Sequence, residues 1–248
     1  MSEPLMNLKC EIVLAHRILV GQGVMEAFGH VSARHPEMPE RFLLPAACAP
    51  SMVGVDDILE FNMEGRPIHP TDTKLFSESI IHAAIYRARP DVMAVAHHHS
   101  PSIMPFCVTG VELKPVSQTG AAMGAHVPFW DSRTEFGDTK LLVVTSEEAD
   151  SLARALGPNW LVLMRRHGAT VVGQSLREMV FRAVHSCRDA DYQLQGRALG
   201  PIDPLTPKEQ ELAGGQLRPD PINRCWQHWL TLLPSGLHPA DGAGAARP

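Results

Sequence analysis

Cysteine and basic charge are both scarce in this chain, and each shortage excludes a class of protein. The five cysteines are scattered, and none stands in a CxxC pair, so the sequence predicts neither a disulfide framework nor a thiolate zinc site. The formal net charge of -5 provides no basic surface for nucleic acid or an anionic membrane. No apolar run approaches the ~18 residues of a membrane span. We therefore expect a cytoplasmic protein without nucleic-acid or membrane partners.

Histidine, in contrast, is abundant. The 248 residues are 44% hydrophobic and 20% charged, which is ordinary for a globular protein with a substantial core. Thirteen of them are histidines, more than the ~2% typical of proteins. An excess of histidine indicates metal or acid–base chemistry only weakly, so the positions of these residues must show whether they form such a site.

An apolar run that ends in three histidines gives the strongest indication of a metal site. Residues 94–100 read Ala-Val-Ala-His-His-His-Ser. Side chains on a strand alternate between faces, so His97 and His99 share one face and His98 points to the other. Two imidazoles on one side of a strand end form half of a metal site.

Hydrophobic periodicity and punctuation by Gly and Pro predict the secondary structure. We expect helices over residues 5–21, 77–90, 101–107, 146–157 and 175–200, with a shorter one from 206. We expect strands over residues 30–34, 42–44, 58–62, 92–97, 140–145, 160–164 and 170–172. The simplest organisation is one α/β domain over residues 1–233, with a helical C-terminal appendage at about 203–233 and a disordered tail at 234–248.

Two further places are candidates for chemistry. His167 stands at a strand end and is followed by Gly168, which permits close approach of the backbone. Glu78 falls in the first turn of its helix, as the residue after the predicted N-cap Ser77. Three imidazoles with an open position describe a catalytic divalent-metal site, and a nearby carboxylate can act as ligand and then as acid or base. Each piece alone also has a structural explanation. The pair of His97 and His99 can arise by chance, and His167 with Gly168 can form an ordinary turn. Glu78 can be an acid that stabilises the helix N-terminus through the helix dipole.

Taken together, four motifs in order resemble the class II aldolase/adducin family, from about residue 8 to about residue 200. The motifs are Gly-His-Val-Ser-Ala-Arg at 29–34, Ser-Glu at 77–78, Val-Ala-His-His-His at 95–99, and Met-Arg-Arg-His-Gly at 164–168. No single motif is specific, but all four at these spacings are.

The resemblance implies the following roles and architecture. His97, His99 and His167 match the ligands of one divalent metal ion per subunit, and Glu78 matches the acidic residue that is a metal ligand at rest and an acid/base in turnover. The family fold is a three-layer αβα arrangement with a central, mainly antiparallel sheet. Its enzymes are commonly homotetramers with active sites at subunit interfaces.

Departures from the sugar-phosphate aldolases indicate a different substrate. Their first motif reads GNVS after a threonine, and the asparagine and threonine bind phosphate; here these positions are His30 and Ala27. The family's threonine–glycine loop has become 44–47, Leu-Pro-Ala-Ala. A phosphate needs several convergent donors, so a sugar phosphate is not expected. The GHVSxRHP motif most resembles the subgroup that contains 3,4-dihydroxyphthalate decarboxylases.

The leading hypothesis is therefore a metal-dependent, non-oxidative decarboxylase of a hydroxylated aromatic carboxylic acid. The predicted substrate-binding residues are His30, Ser32, Arg34 and Ser77, with His30 or Arg34 holding a carboxylate, although both also have structural readings. The alternatives are an aldolase for an unphosphorylated hydroxy-keto acid or sugar, a non-catalytic adducin-like interaction module, and a non-haem iron oxygenase on the same scaffold. Three histidines suit Zn, Mn, Fe and Co alike.

Overall fold

One seven-stranded sheet forms the centre of the computed structural model, which describes residues 2–215 and 217–234. In chain order its strands are β1 (His30–Arg34), β2 (Arg41–Pro45), β3 (Ile58–Asn62), β4 (Ala94–His98), β5 (Phe129–Trp130), β6 (Leu161–Met164) and β7 (Gly168–Gly173). The described helices are α1 (Glu3–Gly21), α2 (Ser79–Ala88), α3 (Met104–Thr109), α4 (Arg133–Phe136), α5 (Ser146–Leu156), α6 (Leu176–Gly196), α7 (Pro207–Gly214) and α8 (Pro219–Thr231).

The order of strands across the sheet is β3-β2-β1-β4-β7-β6-β5. Every neighbouring pair is antiparallel except β5 and β6, which are parallel. The three central strands place His30 opposite His97, and His97 opposite Thr170. The expectation of a mainly antiparallel sheet is confirmed, and the first and third candidate motifs meet at its centre.

Helices cover both faces of the sheet, as the three-layer prediction requires. On one face, apolar side chains of α1, α6 and α8 form one cluster with alternate residues of β4, Ala94 and Ala96. On the other face, apolar side chains of α2 and α5 form a second cluster with the residue between these two, Val95. Because β4 is buried on both sides, its sequence is a continuous apolar run rather than an alternating one.

Most predicted elements are found, with ends shifted by a few residues. The strands 30–34 and 58–62 and the start of the helix at 146 agree with prediction. The helix predicted from Ser77 begins at Ser79, with Glu78 in the N-cap position and no side-chain cap bond. The 175–200 helix ends at Gly196.

The strand predicted over residues 140–145 is wrong. This segment has irregular backbone, and Leu141 has a φ of 66°, a left-handed conformation that breaks a strand. Val143 is buried, whereas Leu142 and Val144 are exposed. The edge of the sheet is formed instead by the two-residue β5.

The C-terminal helix α8 packs on α6 and α1. Trp226 and Trp229 carry this contact, and both are buried in the same apolar cluster as α1. The predicted disordered tail lies, apart from Pro234, outside the described residues. No helix in the described part of the chain has the length and apolarity to cross a membrane.

Candidate metal centre and active site

Three histidines from two neighbouring strand ends converge at one point. His97 and His99 come from the end of β4, and His167 from the turn between β6 and β7. One ring nitrogen of each lies within 4.8 Å of the others, and the Nε2 atoms of His97 and His99 are 2.9 Å apart. The structure thus brings together the three predicted ligands.

Cys107 on α3 forms hydrogen bonds with the turn that carries His167. The backbone oxygen of Cys107 accepts from the N–H of Arg166, and its Sγ–H donates to the oxygen of Gly168, 3.1 Å away. Arg166 has a φ of 55°, which costs a non-glycine residue about 1 kcal/mol or more. The hydrogen bonds on both sides of His167 stabilise this strained backbone.

The chemistry of the donor set fits a divalent cation. Both ring nitrogens of His167 are buried and, among the described residues, have no hydrogen-bond partner. His97 Nδ1 lies 3.2 Å from Thr170 Oγ1, which orients the ring and leaves Nε2 for a ligand, as is usual for histidine at metals. Burial lowers the pKa of His99 to about 4, so the imidazoles are neutral at pH 7, the form that binds metal.

The carboxylate of Glu78 faces the histidines. Its oxygens lie 3.5 Å from His167 Nε2 and 3.8 Å from His97 Nε2. The N–H of Val143 donates to Oε1 at 3.1 Å. Burial raises the pKa of this carboxyl, but the neighbouring side chains of His30 and His167 and the Val143 N–H together lower it below the usual value. Glu78 is therefore ionised at neutral pH.

His30 is the predicted substrate residue that lies at this centre. Its Nε2 is 3.9 Å from Glu78 Oε2, and its ring centroid is 4.6 Å from that of Phe76 and 5.2 Å from that of His97. The other nitrogen, Nδ1, is 2.7 Å from His82 Nε2. One side of the imidazole thus faces the site and the other is fixed to the interior.

Two of the predicted substrate residues make contacts in the interior. Arg34 is buried and donates to four backbone carbonyls, from Val92, Pro39, Tyr86 and Arg89. Its guanidinium is thereby committed, because each of its three nitrogens already donates. Ser32 is completely buried, and its hydroxyl contacts His82 and Tyr86. Both side chains are thus engaged in the interior, and their contact with substrate stays a prediction. Ser77 is exposed, and its substrate role stays a prediction.

Sequence reasoning missed several residues around the site. His82 and Tyr86 follow Glu78 at intervals of four along the chain, a spacing that puts α2 residues on one face, and this signal was available. Val143 carried no such signal, since only its backbone N–H is used. Phe28 is 72% exposed, with its ring 6.3 Å from that of His99.

With this fold and this site, the chain belongs to the class II aldolase and adducin family. The family model described as Class II Aldolase and Adducin N-terminal domain matches residues 10–194. This range includes the strand end and the turn that carry the three histidines, and it includes Glu78. The resemblance drawn from the four motifs is thereby confirmed.

Individual relatives add a chemical direction. Decarboxylase tropJ of Talaromyces stipitatus is 28% identical over 250 residues, which cover 92% of each chain. The 4-hydroxy-3-prenylphenylpyruvate oxygenase/4-hydroxy-3-prenylbenzoate synthase of Streptomyces roseochromogenus is 31% identical over 139 residues, 55% of this chain and about half (47%) of that protein. Among solved structures, an aldolase II superfamily protein from Pseudomonas syringae matches with a TM-score of 0.80 at 20% identity over 96% of both chains; this likeness shows the fold alone.

Proposed function

We propose that the protein is a metal-dependent, non-oxidative decarboxylase of a hydroxylated aromatic carboxylic acid. The observation that carries the proposal is the convergence of an ionised Glu78 on three neutral histidines, with His30 beside the carboxylate. The likeness to a decarboxylase along 92% of the chain supports the reaction type. The name of the Streptomyces relative, with its hydroxylated aromatic acids, supports the substrate class.

His97, His99 and His167 would hold the cation, which would be Zn, Mn, Fe or Co. Such an ion supplies Lewis acidity to oxygen atoms of a substrate. The three rings are fixed in place by Thr170, by the strand end and by the strained turn, so the chain supplies a preorganised set of donors. Preorganisation matters because moving a ligand residue out of position steeply lowers the affinity of the site for its metal.

Glu78 moves the proton in this proposal. Its carboxylate takes the proton of the substrate's phenolic hydroxyl as the substrate binds. The bond between the ring and the carboxylate then breaks, and its electron pair stays on the ring carbon. Glu78 returns the proton to that carbon, CO₂ leaves, and the phenolic oxygen regains a proton from solvent. The Val143 N–H holds Glu78 Oε1, which keeps the other oxygen, Oε2, on the side of His30 and His97.

The surroundings of the site suit a flat, anionic ring. Phe76 packs on His30, and Phe28 presents an exposed ring near His99. Aromatic side chains contribute about 0.5–1.5 kcal/mol per ring contact beyond their burial. His30 contributes a polar edge for the substrate carboxylate. With Arg34 committed to the interior, His30 is the residue we propose for that contact.

One alternative has its own supporting observation. The name of the Streptomyces relative includes an oxygenase activity, so oxygen chemistry on this scaffold is the second candidate. It needs O₂ as a co-substrate, whereas decarboxylation does not. The aldolase alternative uses the same residues and differs in releasing an aldehyde, and an adducin-like module would hold no metal.

A substrate panel separates these functions. The purified chain, loaded in turn with Zn, Mn, Fe and Co, is incubated with dihydroxybenzoic and dihydroxyphthalic acids and with unphosphorylated hydroxy-keto acids. We expect CO₂ release without O₂ consumption from at least one aromatic acid. Aldehyde release would favour the aldolase, and O₂ uptake would favour the oxygenase. Protein that retains no metal and turns over nothing would contradict an enzymatic role.

A further inference from the structure

A buried chain of hydrogen bonds runs from the site into the interior. His30 Nδ1 is 2.7 Å from His82 Nε2, and His82 Nδ1 is 2.6 Å from Ser32 Oγ. Ser32 Oγ is in turn 2.8 Å from the hydroxyl of Tyr86. All four residues are at most 3% exposed. The function proposed above uses only the first of them.

The Tyr86 end of this hydrogen-bond network fixes which group donates in each of its bonds. Burial raises the pKa of the Tyr86 phenol, so the hydroxyl keeps its proton. Within the described residues, Ser32 Oγ is then the acceptor left for the Tyr86 proton. Since a buried hydroxyl without an acceptor costs about 1–3 kcal/mol, Tyr86 donates to Ser32.

The remaining bonds follow one from the other. Ser32 accepts from Tyr86, so its own proton goes to His82 Nδ1. His82 is neutral, because burial lowers its pKa well below the usual value, and a neutral imidazole has one donor and one acceptor nitrogen. With Nδ1 accepting, His82 Nε2–H donates to His30 Nδ1. A neutral His30 therefore carries its proton on Nε2, the nitrogen that faces Glu78.

We propose that Tyr86, Ser32 and His82 are positioning residues that hold His30 as the Nε2–H tautomer, so that it donates a hydrogen bond to the carboxylate of the substrate. The substrate part of this inference rests on the proposed function; the tautomer does not. A carboxylate only accepts hydrogen bonds, so the opposite tautomer would present a lone pair and repel it. His30 Nε2 is 3.9 Å from Glu78 Oε2, too long for a direct hydrogen bond, which leaves the N–H available.

The tautomer is measured directly by nitrogen NMR on full-length, zinc-loaded protein labelled with ¹⁵N-histidine. We expect His30 to show a protonated Nε2 and a bare Nδ1, with the signals assigned by through-bond correlation and by their loss in His30→Asn. A bare Nε2 on neutral His30 would overturn the inference. This readout needs no substrate, so it stands or fails independently of the decarboxylase proposal.

Tyr86→Phe tests the origin of the direction. The substitution removes the hydroxyl and keeps the ring on which the Arg34 guanidinium lies, 4.8 Å from the centroid. We expect the second His30 tautomer to appear, with thermal midpoint and zinc content close to wild type. Tyr192→Phe, at the exposed second tyrosine, is the matched control and should leave the tautomer unchanged. A tautomer in Tyr86→Phe identical to wild type would refute the role of Tyr86.

Ligand affinity tests the purpose of the N–H. Calorimetry compares 2,3-dihydroxybenzoate with catechol, which lacks only the carboxylate, on the zinc-loaded protein. We expect Tyr86→Phe to weaken dihydroxybenzoate about tenfold, which corresponds to about 1.4 kcal/mol, and to leave catechol unchanged. Equal weakening of both ligands would indicate a general structural defect and contradict the assignment. Failure of the panel to release CO₂, with this selective loss intact, would instead count against the proposed reaction alone.

Discussion

His98 differs from its two neighbours in the sheet face on which it lies. His97 and His99 point to the face covered by α2, where the candidate site lies. His98 is buried on the opposite side, where its Nδ1 accepts from the N–H of Ser100 at 3.3 Å. Strand alternation predicts this division from sequence alone. Strand alternation could not predict the contact of His97 with Thr170, because that contact depends on which strand lies beside β4.

Glu78→Gln separates metal binding from proton transfer. The amide keeps the size of the side chain and can still accept from the Val143 N–H, but it cannot carry the proton. We expect metal content to remain near wild type and turnover to fall by roughly 10²–10⁴-fold, the usual effect of a lost general acid or base. Metal analysis and CO₂ release measure the two quantities. Glu64→Gln, at an exposed position, is the matched control, and near-normal turnover in Glu78→Gln would exclude the acid–base role.

At the scale of elements, the β6–β7 turn is tightly packed against β4. A Cβ at Gly168 would lie 2.4 Å from the oxygen of His98 and 2.6 Å from Cδ2 of His99. Gly168→Ala is therefore expected to displace His99 or His167 and to lower metal affinity by more than tenfold, the lower end of the loss seen when a ligand's support is removed. Metal titration measures this. Gly21→Ala, where a Cβ meets nothing within 4 Å, should bind metal normally.

Equal metal affinity in Gly168→Ala and Gly21→Ala would mean that the turn does not position the site. A matching loss in both variants would indicate that affinity follows overall stability rather than local geometry. Thermal midpoints of the two proteins, measured in metal-free buffer, distinguish these cases.

The contact between α1 and β1 predicts a pH dependence of stability. His16 Nδ1–H donates to the oxygen of Ile12, and its Nε2 accepts from the N–H of Val31 at 3.0 Å. Burial, which disfavours the charged form, lowers the pKa of this imidazole from 6.5 to about 4. A histidine with a lowered pKa contributes stability that is complete above pH 6.5 and is lost as the pH falls toward 4.

We therefore expect His16 to reduce the free energy of unfolding by about 2 kcal/mol between pH 7 and pH 5. Denaturant unfolding of wild type and His16→Gln at both pH values measures it. The glutamine variant is expected to be less stable at pH 7 but to lose less on acidification. An identical loss in the two proteins would show that His16 does not titrate in this way.

The loop at 140–145 marks the limit of element prediction. Its continuous apolar run, Leu-Leu-Val-Val at 141–144, favours a strand, and Val143 is buried as a strand residue would be. The segment instead gives its backbone N–H to Glu78, a tertiary contact with a residue 65 positions earlier. Backbone donors carry no sequence signature, so this part of the site could be found only in the structure.

For the molecule as a whole, the order of motifs predicted the family, the sheet type and the three layers. The family follows from short motifs and their spacing along the chain, and the sheet type and the layers are what the resemblance to that family implies. The network behind His30 was missed, because it joins β1 to α2 through residues about 50 positions apart. The interior contacts of Arg34 were missed for the same reason: its four carbonyl partners become visible only when the strands are assembled.

The homotetramer with sites at subunit interfaces stays a prediction from family resemblance. We expect sedimentation equilibrium of the purified chain to give four copies per particle, with activity proportional to the tetramer on dilution. A stable monomer with full activity would contradict the shared-site arrangement.

The product formed in D₂O tests the central claim most directly. Metal-loaded protein is incubated with the aromatic acid that the panel identifies, and the product is analysed by NMR and mass spectrometry. The account predicts one deuteron on the ring carbon that carried the carboxylate, with one equivalent of CO₂ and no O₂ consumed. An oxygen atom on that carbon, or an aldehyde in place of CO₂, would contradict it.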